Sequence, residues 1–162
     1  NIEWEEHVKK KYPSCKVVIG GKHRKDSSYN GVFSTSKQTD NVLIHDAARP
    51  FVDSDIITSC IETLDKADAT APIISLNDSL IKIQNDTIEY LNRDIIMRIQ
   101  TPQCFSVNLI KKVLESNFYS YDEISMLLKV YPNKKIKFVN GNNRNNKITT
   151  YNDLLSLKQY SK

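Results

Sequence analysis

Asp46 and Arg49 stand three positions apart, with Ala47 and Ala48 between them and Pro50 behind, directly after the short apolar run Val42-Leu43-Ile44. An acid and a base at this spacing suit the handling of charge, with Asp46 holding a metal ion or a ribose hydroxyl and Arg49 holding or orienting an anion. The alanines let a ligand approach the backbone, and the proline ends regular structure. A second reading stays open: an ion pair that only braces a corner between strand and helix. Gly20-Gly21 followed by Asp26-Ser27 makes a turn into a helix whose N–H groups and hydroxyl suit a polar ligand, or form an ordinary cap. Thr101, in Gln100-Thr101-Pro102-Gln103, is a hydroxyl in a Pro-fixed loop, and Lys147 is an ammonium at a strand end.

Elements must position these groups. An unbroken apolar run such as Val42-Leu43-Ile44 reads as a central strand covered on both faces in a mostly parallel sheet. Asp46 then lies at a strand's C-terminal end, where ligands collect in open α/β sheets. Asp53 or Ser54 caps a helix carrying Ile56, Ile57, Cys60, Ile61 and Leu64 at helical spacing, and 69–74 returns as a strand, so 41–74 forms a right-handed βαβ unit. Upstream, 3–11 reads as a helix with early acids and late lysines, stopped by Pro13, 16–19 reads as a strand, and Asp26 or Ser27 caps a helix reaching Phe33.

Residues 77–91 differ in period. Ile81 and Ile83 alternate with polar neighbours and face Ile88 and Tyr90 across Asn85-Asp86, which predicts a two-stranded hairpin that needs something to pack on. Beyond it, 98–100 ends a strand, and Ser106 caps a helix bearing Val107, Ile110, Val113 and Leu114. Ser120 to Glu123 forms a capping box for a helix with Ile124, Leu127 and Leu128 inward. Residues 136–139 read as a strand, and Thr149 or Thr150 opens a terminal helix presenting Leu154, Leu155 and Leu157. The expectation is one α/β domain over 1–162, with a Rossmann-like, mostly parallel sheet, flanking helices and a protruding hairpin.

Composition agrees with a soluble globular domain: 162 residues, 40% hydrophobic and 26% charged, with Lys+Arg 23 against Asp+Glu 19 for a net charge of +4. The lysines fall in two short runs, around Lys9 and Lys134, and aromatics are not interleaved with them, so a nucleic-acid partner is not expected. Cys15, Cys60 and Cys104 form no CxxC spacing and leave an odd number, which favours a reducing cytoplasmic setting. No apolar run approaches the ~18 residues of a membrane span, so no membrane association is expected.

The stretch His45-Asp46-Ala47-Ala48-Arg49-Pro50-Phe51 closely resembles the central motif of the 2-C-methyl-D-erythritol 4-phosphate cytidylyltransferases. Gly20-Gly21 with Arg24 and Asp26-Ser27, Gln100-Thr101-Pro102-Gln103 with Phe105, Asp122-Glu123 with Ser125, and Asn146-Lys147-Ile148-Thr149 follow in the family's order and nearly its spacing. The resemblance implies a nucleotide-diphospho-sugar transferase-like fold and transfer of a cytidylyl group from CTP to a sugar-alcohol phosphate in non-mevalonate isoprenoid biosynthesis. It implies Asp46, Arg49 and Lys147 as catalytic residues, Mg²⁺ at Asp46, and Gly20, Gly21, Ser27, Asp46 and Ala47 on the nucleotide. Ser79, Arg93, Thr101, Tyr121 and Lys147 would hold the acceptor. The 77–94 arm would embrace a second subunit, making a homodimer that delivers Ser79 and Arg93 to the partner's site.

Two departures bear on the acceptor. Ser79 stands where the family usually has Thr, and Tyr121 where a small Thr touches the phosphate, which leaves ribitol 5-phosphate as an alternative acceptor. Family members also begin with a strand and a Gly-rich triphosphate loop that residues 1–162 do not contain. The expectation is therefore an N-terminally incomplete domain, inactive alone, or a non-catalytic remnant that binds nucleotide or a partner.

Overall fold

The computed structural model describes residues 2–157. Its elements in chain order are α1 (Glu5–Lys11), α2 (Arg24–Phe33), β1 (Asn41–Ile44), α3 (Ser54–Leu64), β2 (Ala69–Ser75), β3 (Leu80–Gln84), β4 (Thr87–Leu91), β5 (Met97–Ile99), β6 (Gln103–Ser106), α4 (Val107–Glu115), α5 (Glu123–Val130), β7 (Ile136–Asn140) and α6 (Tyr151–Leu157). The side chain of Leu157, expected on the terminal helix, lies outside the described set.

The main sheet runs β1-β6-β2, with β5 and β7 also on β2. β2 pairs with β7 in parallel, whereas β6 is antiparallel to both β1 and β2, and β5 is antiparallel to β2. Hence β1, β2 and β7 share one direction, as expected, while the segment 97–106 runs against them. The direct β1–β2 neighbourhood expected of 41–74 is replaced by the insertion of β6. Val42-Leu43-Ile44 is therefore not a central strand among the described residues, since β1 pairs with β6 alone.

Its apolar run has another cause, because helices cover both faces. Val42 and Ile44 pack into a core with Val32, Phe105, Ile110, Val113, Ile124 and Leu127 from α2, β6, α4 and α5. Leu43 turns to the opposite face and packs with Ile56, Cys60, Leu64 and Cys104. The period of two along β6 does the same, sending Cys104 toward α3 and Phe105 toward α4. No helix among the described residues is long and apolar enough to cross a membrane.

Other expectations shift locally. Residues 16–19 are not a strand, because no described strand pairs with them, and Val18 and Ile19 are 39% and 45% exposed. The α2 helix begins earlier than expected; Asp26 accepts from the His23 N–H at 2.9 Å, capping from inside the first turn rather than opening the helix. The α5 box is Asp122 with Ser125, each side chain accepting from the other's N–H at 2.7 and 3.1 Å. Glu123 is thereby left for a different task, and Leu128 is exposed rather than inward.

The hairpin forms in the expected register, Ile81 opposite Tyr90 and Ile83 opposite Ile88. Asn85 and Asp86 both take positive φ, 48° and 60°, the left-handed pair that matches strand twist in a two-residue turn. It forms a separate two-stranded sheet whose apolar residues stay open, with Ile83 67% and Tyr90 78% exposed.

Candidate active site

The C-terminal ends of β1 and β7 and the turn between β5 and β6 meet at one edge of the sheet, and the segment from Gln100 to Gln103 ties the loops there. Gln100, Thr101 and Gln103 are all at most 4% exposed. Gln100 Nε2 donates to the carbonyls of Asn142 and Asn145, at 3.0 and 3.1 Å, holding the loop after β7. Gln103 Oε1 accepts from the Ile124 N–H at 3.0 Å, holding the start of α5.

Thr101 holds the loop after β1. Its Oγ1 accepts from the Asp46 N–H at 3.0 Å and lies 2.9 Å from His45 Nδ1. His45 Nε2 is 2.9 Å from the Arg49 carbonyl, which can only accept, so the ring proton sits on Nε2 and Thr101 donates to Nδ1. The Arg49 N–H donates to the Asp46 carbonyl at 2.9 Å, closing the turn. Arg49 Nη1 donates to the Asn145 carbonyl at 2.9 Å and the Ile148 N–H to the Ala48 carbonyl at 2.8 Å, so this turn is sewn to the strand-end loop that carries Lys147.

The Asp46 side chain, 12% exposed, thereby faces three cations: Lys147 Nζ at 3.2 Å, Arg49 Nε at 3.3 Å and Arg24 Nη2 at 3.5 Å. Burial alone would push its carboxyl up, but the hydrogen bond and charge of Lys147, with the charges of Arg24 and Arg49, outweigh burial and hold it below the ordinary value. Arg24 in turn loses by burial but gains more from Glu123, Asp46 and Asp122, which raise it. Arg24 also pairs with Glu123 at 2.6 Å, so the three cations exceed the two carboxylates they touch by one positive charge, a setting for polyanions rather than for a free metal cation.

Two cavities meet at Asp46. One, of about 530 Å³, lies between α2 and β1 and is lined by Ser27, Ala47, Arg24 and Asp46 among others. The other, of about 130 Å³, is lined by Asp46, Arg49, Thr101, Tyr121, Asp122 and Lys147. Asp46, Arg49, Lys147, Thr101, Ser27, Ala47 and Tyr121 are thus gathered, as expected. Thr101 lends its hydroxyl to the β1 loop and not to open space, while the Tyr121 side chain is 96% exposed at the rim.

Gly20 and Gly21 do not line either cavity; they shape the turn before α2. The Gly21 N–H donates to Ser27 Oγ at 3.1 Å, and a Cβ at Gly21 would stand 2.1 Å from Asp26 Cβ, so only glycine fits. Ser79 and Arg93 line neither cavity, and the exposed Arg93 donates to the Asn77 carbonyl on its own arm. Gln100, Gln103, Asn145, His45, Glu123 and Arg24 were not singled out as site residues from the sequence. Their partners lie tens of positions away, and only the pairing of motifs could have linked them.

A Mg²⁺ ion accepts one or two carboxylates plus substrate phosphates. No group of three His, Cys, Asp or Glu residues that could hold a metal occurs among the described residues. Asp46 alone suits such an ion only in company with phosphate oxygens, which would also compete for Lys147.

The family model of 2-C-methyl-D-erythritol 4-phosphate cytidylyltransferase matches residues 3–161. A Clostridium botulinum protein of that name is 42% identical over 147 residues, 86% of this chain and 63% of its own length, so the chain spans under two thirds of that relative. The bifunctional ribulose 5-phosphate reductase/CDP-ribitol pyrophosphorylase Bcs1 of Haemophilus influenzae is 31% identical over 86% of this chain and 31% of its own. Among solved structures, the 4-diphosphocytidyl-2C-methyl-D-erythritol synthase of Anaerococcus prevotii superposes with a TM-score of 0.88 at 30% identity, covering 98% of this chain and 74% of that one. With the loops after β1 and β7 joined at Asp46 and the match running through nearly every residue, the chain belongs to the 2-C-methyl-D-erythritol 4-phosphate cytidylyltransferase family.

Proposed function

We propose that the protein transfers the cytidylyl group of CTP to 2-C-methyl-D-erythritol 4-phosphate and releases pyrophosphate, in a cytoplasmic setting that suits its three free cysteines. The observation that carries this reading is the convergence of Arg24, Arg49 and Lys147 within 3.5 Å of Asp46, at the meeting of two cavities. The larger cavity, with Ser27 and Ala47, takes the nucleoside, and the smaller, with Lys147, Thr101 and Tyr121, takes the acceptor's phosphate.

A phosphate oxygen of the acceptor forms a bond to the α-phosphorus of CTP as the bond to the β-phosphate oxygen breaks. No base on the chain is needed, because a phosphate monoester with a second pKa near ~6 is already an anion at neutral pH. Catalysis is then positioning and neutralisation of charge. Asp46 would hold Mg²⁺ together with the bound CTP, and the ion would supply neutralisation of the triphosphate's charge. Lys147 grips the acceptor's phosphate, Arg49 holds the loop, and the Thr101–His45 chain keeps Asp46 turned into the site.

The test is pyrophosphate release with CTP and Mg²⁺ in the presence of each acceptor separately. Methylerythritol phosphate is expected to give the faster turnover. Faster release with ribitol 5-phosphate would move the acceptor assignment and point to Tyr121, whose bulk at the rim of the smaller cavity is the feature favouring that alternative.

The 77–94 arm belongs to the same reading. Its open apolar face, with Ile81, Ile83, Ile88 and Tyr90 each at least 48% exposed, suits a second copy of the chain, and Ser79 and Arg93 would then reach the partner's acceptor site. Arg93→Ala and Lys147→Ala proteins, each inactive, should regain about a quarter of wild-type activity when equal amounts exchange subunits, because half the dimers are then mixed with one intact site of two. A monomer by sedimentation, or no recovery after proven exchange, would contradict the shared site.

A further inference from the structure

Glu123, the first residue of α5, is fully buried, at 0% exposure. A buried carboxylate is costly unless partners compensate it. Its Oε1 accepts from Arg24 Nη1 and from Ser28 Oγ, each at 2.6 Å, while Oε2 is buried with no hydrogen-bond partner among the described residues. Stability alone does not account for such an arrangement, since buried ion pairs are often replaced by neutral groups at no loss. What a charged residue adds here is a fixed guanidinium.

Arg24 stretches from Glu123 to Asp46, with Nη1 on one carboxylate and Nη2 on the other. Arg24 and Asp46 both line the larger and the smaller cavity, so the guanidinium stands on the wall between them. The cations around Asp46 differ in how they are held. Lys147 is 43% exposed on a loop and pairs with Asp46 at 3.2 Å, so an arriving phosphate can draw it off. Arg24 is anchored at its far side by a buried charge.

We propose that Glu123 and Arg24 are a positioning pair: the buried carboxylate holds the guanidinium against Asp46, so that the loop after β1 keeps its orientation when ligand phosphates take Lys147 away. This deepens the proposed function and rests on it for its catalytic consequence. Arg24 acts here through Asp46, and Glu123 through Arg24.

The test uses Arg24→Gln alone and the double variant Arg24→Gln with Glu123→Gln. The single variant leaves a buried unpaired carboxylate and should lower Tm by about 10 °C. The double variant removes both charges and should return Tm to within about 3 °C of wild type. Its kcat should nevertheless stay ~10–100-fold low, with KM for CTP changed by less than about threefold, as for the loss of a partner that orients a metal-site ligand. Recovery of kcat together with Tm would show a purely structural pair and overturn the proposal.

A second readout needs no turnover. Amide hydrogen exchange at Asp46 should be about tenfold faster in the double variant than in wild type, since the loop loses one of its holds; unchanged exchange would overturn the pair. Absence of pyrophosphate release from the wild type would count against the proposed function instead, with the exchange measurement still deciding the pair.

Discussion

Asp46→Asn is expected to lower kcat by ~100-fold or more, the loss found on removing one group that stabilises a transition state, while the protein stays folded. The substitution keeps the shape of the side chain and the N–H that donates to Thr101, so the turn that closes on Arg49 survives. What it removes is the negative charge among Arg24, Arg49 and Lys147. Those cations then repel one another, but Arg24 and Lys147 are 36% and 43% exposed and screened by water, so the stability change should be small, about 1 kcal/mol or less.

Glu123 still pairs with Arg24, so the site is left with two cations, Arg49 and Lys147, that have lost their carboxylate, and it should bind CTP at least as well as before. The signature is thus a collapsed kcat with an unraised KM for CTP, read from initial rates of pyrophosphate release. Near-normal turnover would remove Asp46 from its assigned role.

Asn145→Leu should be the most damaging neutral change. Asn145 is fully buried, and its Nδ2 donates to the Thr101 carbonyl at 2.8 Å and to Gln100 Oε1 at 3.3 Å. Its own carbonyl accepts from Arg49 Nη1 and Gln100 Nε2, so the residue joins the loop carrying Lys147 to the loop carrying Asp46. Leucine keeps the branching of the side chain but is bulkier, and it leaves the Thr101 carbonyl buried without the Asn145 donor, at a cost of about 2–3 kcal/mol. For a chain of this size that corresponds to a fall in Tm of roughly 5–10 °C. Activity measured well below the new Tm should also drop, because the loop carrying Lys147 loses its side-chain bonds to Thr101 and Gln100, and with them the placing of the main-chain carbonyl that holds Arg49. An unchanged Tm would mean that Asn145 does not tie these loops.

The features legible in the sequence were those set by local chemistry. The hairpin register followed from alternation at Ile81 and Ile83 and from a turn pair that tolerates positive φ, both contained within residues 77–91. The inward face of α4 followed from the helical spacing of Val107, Ile110, Val113 and Leu114; of the α3 series Ile56, Ile57, Cys60, Ile61 and Leu64, the structure buries Ile56, Cys60 and Leu64 and leaves Ile61 44% exposed. Asp46, Arg49 and Lys147 were placed in one site by the resemblance to the family and not by local chemistry, and they do meet around one carboxylate.

What escaped depended on distant partners. The insertion of β6 between β1 and β2 sets Phe105 opposite Val42, a pairing across more than half of the sheet's sequence that no local pattern encodes. Glu123 has the local look of a capping acid. Its burial against Arg24, 99 positions away, is a property of the packed molecule. Gln100 and Asn145, 45 positions apart, read alone as polar loop residues and only become a clasp when β5, β6 and β7 gather around β2.

The most direct test of the account is to incubate the complete protein, with the family's triphosphate loop in place, with CTP, Mg²⁺ and methylerythritol 4-phosphate and to follow both products, the cytidylylated acceptor by mass spectrometry and pyrophosphate by an enzymatic assay. The account predicts equal amounts of the two products, formed only when both substrates are present and suppressed by Asp46→Asn. Pyrophosphate release without the cytidylylated product, or product formation unaffected by Asp46→Asn, would contradict it.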